Sequence, residues 1–260
     1  MVVRLVSVLI AAVGGLLFGT AAVHLAEAAL GGRKLSTPHC PYCTAAQAPL
    51  QWSATMAVLT GQAWCATCGR FLRVPRLLGE LFLMLTWGLL IARYGVTGRV
   101  LLALLTLVPL TMILVTDLEA KLVPNRIMLP ALAGMLLVGT LVGPALPFLD
   151  TVRWWHVPLG AAVGFMIFRL LVWLGVALFG EGALGEGDIT LATYVGAVVG
   201  FPMVLEALVL TFGFGGVGAA LVLILRRGKL RTAIPYGPFL ILGCAVTQLW
   251  GAEILHWFLG

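Results

Sequence analysis

The sequence predicts an all-α polytopic membrane protein of about eight transmembrane helices, with a small cytoplasmic zinc-knuckle insertion after the first. Three observations carry this. Hydrophobic residues make up 61% of the 260-residue chain and charged residues only 10%, a balance that a soluble fold of this length cannot bury. The apolar residues fall in long runs, roughly 2–30, 76–94, 98–116, 126–146, 156–179, 189–201, 203–226 and 235–259, most of them near the ~20 residues of a spanning helix. Lysine and arginine gather in alternate connections between those runs.

Taken in order, the first run starts behind Arg4 and ends in Ala26-Glu27-Ala28, which also resembles a cleavable signal peptide. Its apolar stretch is long for a signal core, and the basic loop behind it favours a retained span. Residues 31–75 are the one sizeable polar insertion. The second run opens at Pro75 and Glu80, and the third ends at Asp117. Pro124 and Asn125 lead into the fourth. The fifth carries Arg169 well inside, where it either snorkels or pairs with a carboxylate. The sixth is short, so it is tilted, re-entrant or sheltered by its neighbours. The seventh holds Gly213-Phe214-Gly215-Gly216-Val217-Gly218, a run that suits close helix packing. The eighth follows Pro235-Tyr236-Gly237-Pro238 and contains Cys244, read as an inert buried thiol. His24, His39, His156 and His256 are scattered without metal-ligand spacing and read as boundary or packing residues.

Charge orients the bundle. Arg33, Lys34, Arg70, Arg73 and Arg76 follow the first run; Lys121 and Arg126 lie between the third and fourth; Arg226, Arg227, Lys229 and Arg231 lie between the seventh and eighth. The connections between hold only Arg93 and Arg99, or Arg153. The richer set belongs in the cytoplasm, which puts Asp117 and Asp188 at one cytoplasmic face. The net charge of +6 is therefore a topology signal. No basic amphipathic stripe or aromatic platform supports nucleic-acid binding. The chain divides into 1–75, the first helix with its insertion, and 76–260, the helical bundle.

Four of the five cysteines form Cys40-Pro41-Tyr42-Cys43 and Cys65-Ala66-Thr67-Cys68, with 21 residues between the pairs. Two such knuckles have the spacing of a tetrahedral four-thiolate zinc site, although the loop is slightly longer than usual. Redox thiols or another metal are the alternatives; a cytoplasmic setting disfavours disulfides. The insertion is too small for much of a core, so a bound metal would supply most of its folding energy.

Asp117 and Asp188 are the candidate catalytic residues. Each stands where an apolar run meets a loop, and a carboxylate near hydrocarbon is expensive enough to ask for a reason. Two aspartates meeting at a membrane boundary suit aspartyl chemistry, with one ionised and one protonated. Gly185 and Gly187 beside Asp188 allow a tight turn and close approach of a substrate backbone. The plainer alternatives are a helix N-cap for Asp188, with the helix starting at Ile189, and a solvated boundary residue for Asp117. Glu119, Glu181 and Glu186 lie nearby as candidates for tuning the site or holding basic substrate residues.

With these motifs in place, the chain resembles the type IV prepilin peptidases, bacterial membrane aspartyl proteases. The resemblance rests on Cys40/Cys43 and Cys65/Cys68 after the first span and on Pro75 and Glu80 opening the second. It continues through Asp117 ahead of Leu122-Val123-Pro124-Asn125, then Gly185-Glu186-Gly187-Asp188, then Ile234-Pro235-Tyr236-Gly237-Pro238-Phe239. In this order on one frame they cover nearly the whole chain. The resemblance implies removal of the short basic leader from prepilins or pseudopilins at the cytoplasmic face of the inner membrane, with Asp117 and Asp188 as the catalytic pair. Gly185, Gly187, Pro124, Pro235, Gly237 and Pro238 are implied as supporting motif positions. It also implies methylation of the new amino terminus with S-adenosylmethionine. Here the chain departs from the family. Thr190 stands where a lysine is common. Gly19-Thr20-Ala21-Ala22-Val23-His24 replaces an asparagine-containing motif. Gln47-Ala48-Pro49-Leu50-Gln51-Trp52 replaces an asparagine-isoleucine-proline string, and Trp64 replaces a basic residue. All but the first fall in the amino-terminal part associated with methylation, so proteolysis is the firmer expectation. The other function classes are an ion-coupled transporter using the Asp117/Asp188 pair and a non-catalytic assembly factor. The first is disfavoured by aspartates at span ends and no visible repeat, the second by the intact aspartates.

Overall fold

A computed structural model describes residues 2–31, 38–40, 42–148, 153–179, 185–225 and 235–259. Among them are nine α-helices: α1 (Val2–Gly31), α2 (Ala54–Leu59), α3 (Val74–Tyr94), α4 (Gly98–Ala120), α5 (Asn125–Val142), α6 (His156–Phe179), α7 (Glu186–Val199), α8 (Met203–Leu225) and α9 (Gly237–Leu259). Seven of them, all but α2 and α7, are long and apolar enough to cross a membrane. No strand occurs among the described residues, only two isolated bridges. Arg33, Lys34, Glu181, Ile234 and the basic residues between the last two spans lie outside the described residues.

Local chemistry sets the helix ends. Pro75 stands in the first turn of α3, where a missing N–H costs nothing. Gly95, at φ 72°, ends α3 in a conformation open to glycine. The Thr97 hydroxyl caps α4 by accepting the Val100 N–H at 3.2 Å. Lys121, at φ 53°, closes α4 as its N–H donates to the Asp117 carbonyl at 2.9 Å.

The sixth apolar segment resolves into α7, the most enclosed helix of the bundle. Its 14 residues span only about 21 Å, short of the ~30 Å hydrocarbon core. Ile189, Leu191, Ala192 and every residue from Tyr194 to Val199 are buried. Glycine permits this enclosure. Gly160 of α6 and Gly196 of α7 each lie against the other's backbone carbonyl, and Gly164 lies against Ala192, so a Cβ at any of the three would collide with backbone. Close approach through small residues is how helices associate without a hydrophobic drive. The Gly213–Gly218 run fits this role in part: a Cβ on Gly215 would stand 3.2 Å from the Tyr236 ring and one on Gly218 2.5 Å from the Phe239 ring, while Gly213 and Gly216 face open space. The Tyr194 hydroxyl donates to the Thr106 carbonyl at 3.1 Å, tying α7 to α4.

The polar insertion is fastened to the bundle by buried charge. Glu80 of α3, 1% exposed, accepts the Ala54 and Thr55 N–H groups at 2.8 Å each and the Ser53 hydroxyl at 2.8 Å. It thus caps the start of α2. The Thr20 hydroxyl of α1 adds a fourth donor at 3.2 Å. Arg76 forms a two-pronged ion pair with Glu27 of α1 and donates to Gln47 of the insertion at 3.3 Å. Bidentate geometry with further hydrogen bonds is what makes a buried pair tolerable.

Candidate active site and four-cysteine site

Asp117 and Asp188 come to one end of the bundle from different helices. Asp117 sits in the last turn of α4 and is 4% exposed; Asp188 sits in the first turn of α7 and is 9% exposed. They are close enough for the charge of Asp117 to act on Asp188. A third helix closes the site, since the Gly237 N–H at the start of α9 donates to Asp117 Oδ2 at 3.0 Å. Burial excludes the reading of Asp117 as a solvated boundary residue. The N-cap reading of Asp188 is corrected as well. The helix starts at Glu186 with Gly185 as its cap, and Asp188 Oδ2 accepts the Gly185 N–H at 3.3 Å. Asp188 therefore contributes the returning half of a capping box from the third helical position, with its other oxygen free of that bond.

The glycines of the motif are spacers. A Cβ on Gly237 would stand 2.5 Å from Asp117 Oδ2, and a Cβ on Gly187 would stand 2.7 Å from the Cβ of Val123. Pro124 is the residue before α5, and Pro235 and Pro238 flank the turn into α9. Tyr236, within that turn, packs on Phe168 and Phe239 at 5.9 and 6.1 Å between ring centroids. Burial, then the charge of Asp188, pushes its hydroxyl up to about 12, so it stays neutral.

Of the candidate glutamates, Glu119 and Glu186 have separate cationic partners. Glu119 is held by Arg73 at 2.9 Å with its side chain 8% exposed. Glu186 is 89% exposed and its carboxylate lies 4.0 Å from Arg169, so Arg169 stands beside a carboxylate. Glu181 lies outside the described residues. Arg73 and Glu80 carry contacts that only the fold reveals, because their partners are dozens of residues away.

The four cysteines do converge. One ligand sulfur from each of Cys40, Cys43, Cys65 and Cys68 lies within 4.8 Å of all the others. The Cys40–Cys68 and Cys43–Cys65 sulfurs are 3.7 and 3.6 Å apart, close to the roughly 3.8 Å edge of a tetrahedron with ~2.3 Å metal–sulfur bonds. The two knuckles are built alike. Thr44 N–H donates to the Cys40 carbonyl at 2.9 Å and Gly69 N–H to the Cys65 carbonyl at 2.8 Å. Thr44 and Gly69 both take positive φ, 58° and 65°. Backbone N–H groups of Cys68 and then Thr67 bring the Cys65 thiol down to about 6, whereas, against the Ala45 N–H, burial and the other three cysteines push the Cys43 thiol up to about 12, so one thiolate at Cys65 holds off a second at Cys43 until a cation is there to balance them. The donor set thus fits a four-thiolate metal.

The sequence profile of the type IV leader peptidase family matches residues 101–221, the stretch that runs from α4 through α8 and holds both aspartates. The chain is 28% identical over 224 residues to the prepilin leader peptidase/N-methyltransferase of Bacillus subtilis (strain 168), covering 85% of this chain and 84% of that protein. Its counterpart in Legionella pneumophila is 29% identical over 231 residues, covering 85% of this chain and 75% of that protein. The chain is thus similar to the type IV leader peptidase family over these residues. It spans about half the length of some relatives: the Aeromonas hydrophila protein of the same name is 34% identical over 176 residues, but these are 53% of its length. No solved structure matches the chain. In the structure α4, α7 and α9 converge where the two aspartates lie.

Proposed function

We propose that the chain is a membrane aspartyl endopeptidase that removes the leader of prepilins or pseudopilins at the cytoplasmic face of the membrane, with Asp117 and Asp188 as its catalytic residues. The single observation that carries this reading is the placement of two buried carboxylates, from α4 and α7, at one end of the bundle, one of them oriented by the backbone of α9. Two carboxylates in electrostatic contact share a proton and titrate as a pair. The ionised member takes a proton from a water molecule, whose oxygen then bonds to the scissile carbonyl carbon. The protonated member gives its proton to the carbonyl oxygen. Collapse of the tetrahedral adduct moves a proton to the amide nitrogen and breaks the C–N bond. The products are the leader's new carboxyl group and the pilin's new amine. The Gly237 N–H holds Asp117 in one orientation, and the lack of a side chain at Gly187 leaves room for Val123.

Lipid and a prepilin's apolar helix are the partners this reading requires. Zinc is the metal proposed for Cys40, Cys43, Cys65 and Cys68; when bound it would clamp the insertion as a closed structural site. S-adenosylmethionine is the donor for the second activity named in the relatives. Co-expression with a prepilin tests the reading. The native chain should convert it to the leaderless form, read by mass spectrometry, and Asp117→Asn or Asp188→Asn should leave it intact. Leader removal by either variant would overturn the assignment.

A further inference from the structure

We infer that Arg73 is a positioning residue for the catalytic pair, tethering the Asp117 end of α4 to the four-cysteine module; this rests on the peptidase reading above. Arg73 stands just before α3, five residues after Cys68. Its Nη1 donates to Glu119 Oε2 at 2.9 Å. Its guanidinium lies 5.7 Å from the centroid of the Tyr42 ring, over which Arg70 also stacks at 4.8 Å. Tyr42 belongs to the first knuckle, between Cys40 and Cys43. Glu119 belongs to the last turn of α4, two residues after Asp117. One side chain therefore touches both the cysteine module and the helix turn that presents the candidate catalytic carboxylate.

The tether bears weight because of where Glu119 sits. Its carboxylate is nearly enclosed, and its second oxygen, Oε1, is buried with no hydrogen-bond partner. Arg76 attracts it and Glu27 repels it from farther away. The direct bond to Arg73 is thus its main compensation. Removing one partner of a buried pair strands the other charge, and the cheapest relief is for the end of α4 to move so that Glu119 meets water. Asp117 shares that turn, and its carbonyl accepts the closing Lys121 N–H, so the displacement reaches the carboxylate. A shift of about 1 Å in a reacting group costs on the order of a hundredfold in rate. Arg73 touches neither aspartate, so it acts through α4. A substrate anchored elsewhere would keep its KM.

Purified protein in detergent, with a prepilin as substrate, tests this. Arg73→Ala should lower kcat by about ten- to a hundredfold with KM unchanged. Glu119→Gln, which strands no carboxylate, should lower kcat less. The double variant should be no worse than Arg73→Ala, because both act on one contact. Arg73→Lys should recover most of the rate, and Tyr42→Ala should cost only a few-fold. Amide hydrogen exchange across 115–121 should quicken in Arg73→Ala and not in Arg73→Lys. A kcat for Arg73→Ala within twofold of the native chain, single losses that multiply in the double variant, or unchanged exchange would each overturn the tether. If the native chain cleaves no prepilin while exchange responds as stated, the peptidase reading fails and the tether stands.

Discussion

Asp117 and Asp188 were legible as chemistry because a buried carboxylate near hydrocarbon is costly wherever it occurs. Their arrival at one end of the bundle beside the start of α9 was not legible, since nothing in a linear chain says which helix ends meet. Asp117→Asn and Asp188→Asn should each abolish leader cleavage, and the double variant should be no worse than either, because neither carboxylate works alone. A shared proton also predicts a bell-shaped dependence of kcat/KM on pH in the native chain, its two limbs set by the two titration steps of the pair. The supporting glycines give a sharper steric test. In Gly237→Ala the new methyl would stand 2.5 Å from Asp117 Oδ2, so the carboxylate must turn away from its N–H donor. Activity should fall at least tenfold while the protein still inserts and melts near the native temperature. Gly187→Ala meets the Val123 side chain instead, at 2.7 Å. The clashing atom is Val123 Cβ, which only glycine lacks, so Gly187→Ala with Val123→Gly should recover part of the activity lost in Gly187→Ala alone, and Val123→Ala should not. Glu119 was legible only as a nearby charge. Its partner Arg73 lies 46 positions away, a separation that no local pattern carries.

At the scale of elements, seven helices could be read from length and apolarity, and the eighth segment from its shortness. Why α7 survives at 14 residues is a matter of packing: its backbone bonds are satisfied along the helix, and its side chains meet protein on nearly every face. Gly160, Gly164 and Gly196 set the α6–α7 distance, and the sequence marks them only as three of 32 glycines. Gly160→Leu should separate these helices, lower the thermal midpoint in detergent and weaken cleavage through displacement of Asp188; the same change at Gly134, which faces open space, should do neither. The insertion is the opposite case. Its knuckle spacing was plain in the sequence, whereas its attachment through Glu80 and Arg76 emerged only when the chain was folded. Cys40→Ser with Cys43→Ser should release one zinc per chain, by elemental analysis, and expose residues 42–72 to protease. Zinc-site binding of about 10–16 kcal/mol far exceeds what so small a core supplies, so partial loosening would be a surprise. Metal-free native protein, or a disulfide among these cysteines, would contradict the zinc reading.

At the scale of the whole molecule, two activities named in the relatives meet two parts of this chain differently. The family profile covers 101–221, which holds both aspartates. The departures at Gly19–His24, Gln47–Trp52 and Trp64 fall in the first helix and the insertion. Several of the departing residues have contacts of their own. Gly19 lets α1 approach α3 at Glu80, Thr20 donates to Glu80, Gln47 accepts from Arg76, and His24 meets the Trp52 carbonyl at 2.9 Å. The amino-terminal part is therefore packed rather than eroded. Packing alone does not make a methyl-transfer site, which must hold a neutral amine in line with the donor methyl to within about 1 Å, or lose on the order of a hundredfold. Proteolysis at Asp117 and Asp188 needs none of these groups in contact with substrate. Methyl transfer should then lag cleavage. With S-adenosylmethionine present, processed pilin should accumulate with a free amino terminus at early times, and its methylated form should trail by a factor of ten or more in rate. Mass spectrometry of the pilin over one time course reads both steps together. Methylation keeping pace with cleavage would mean that Thr20, Gln47, Trp64 or their neighbours build the donor site in a form that the family's motifs do not describe.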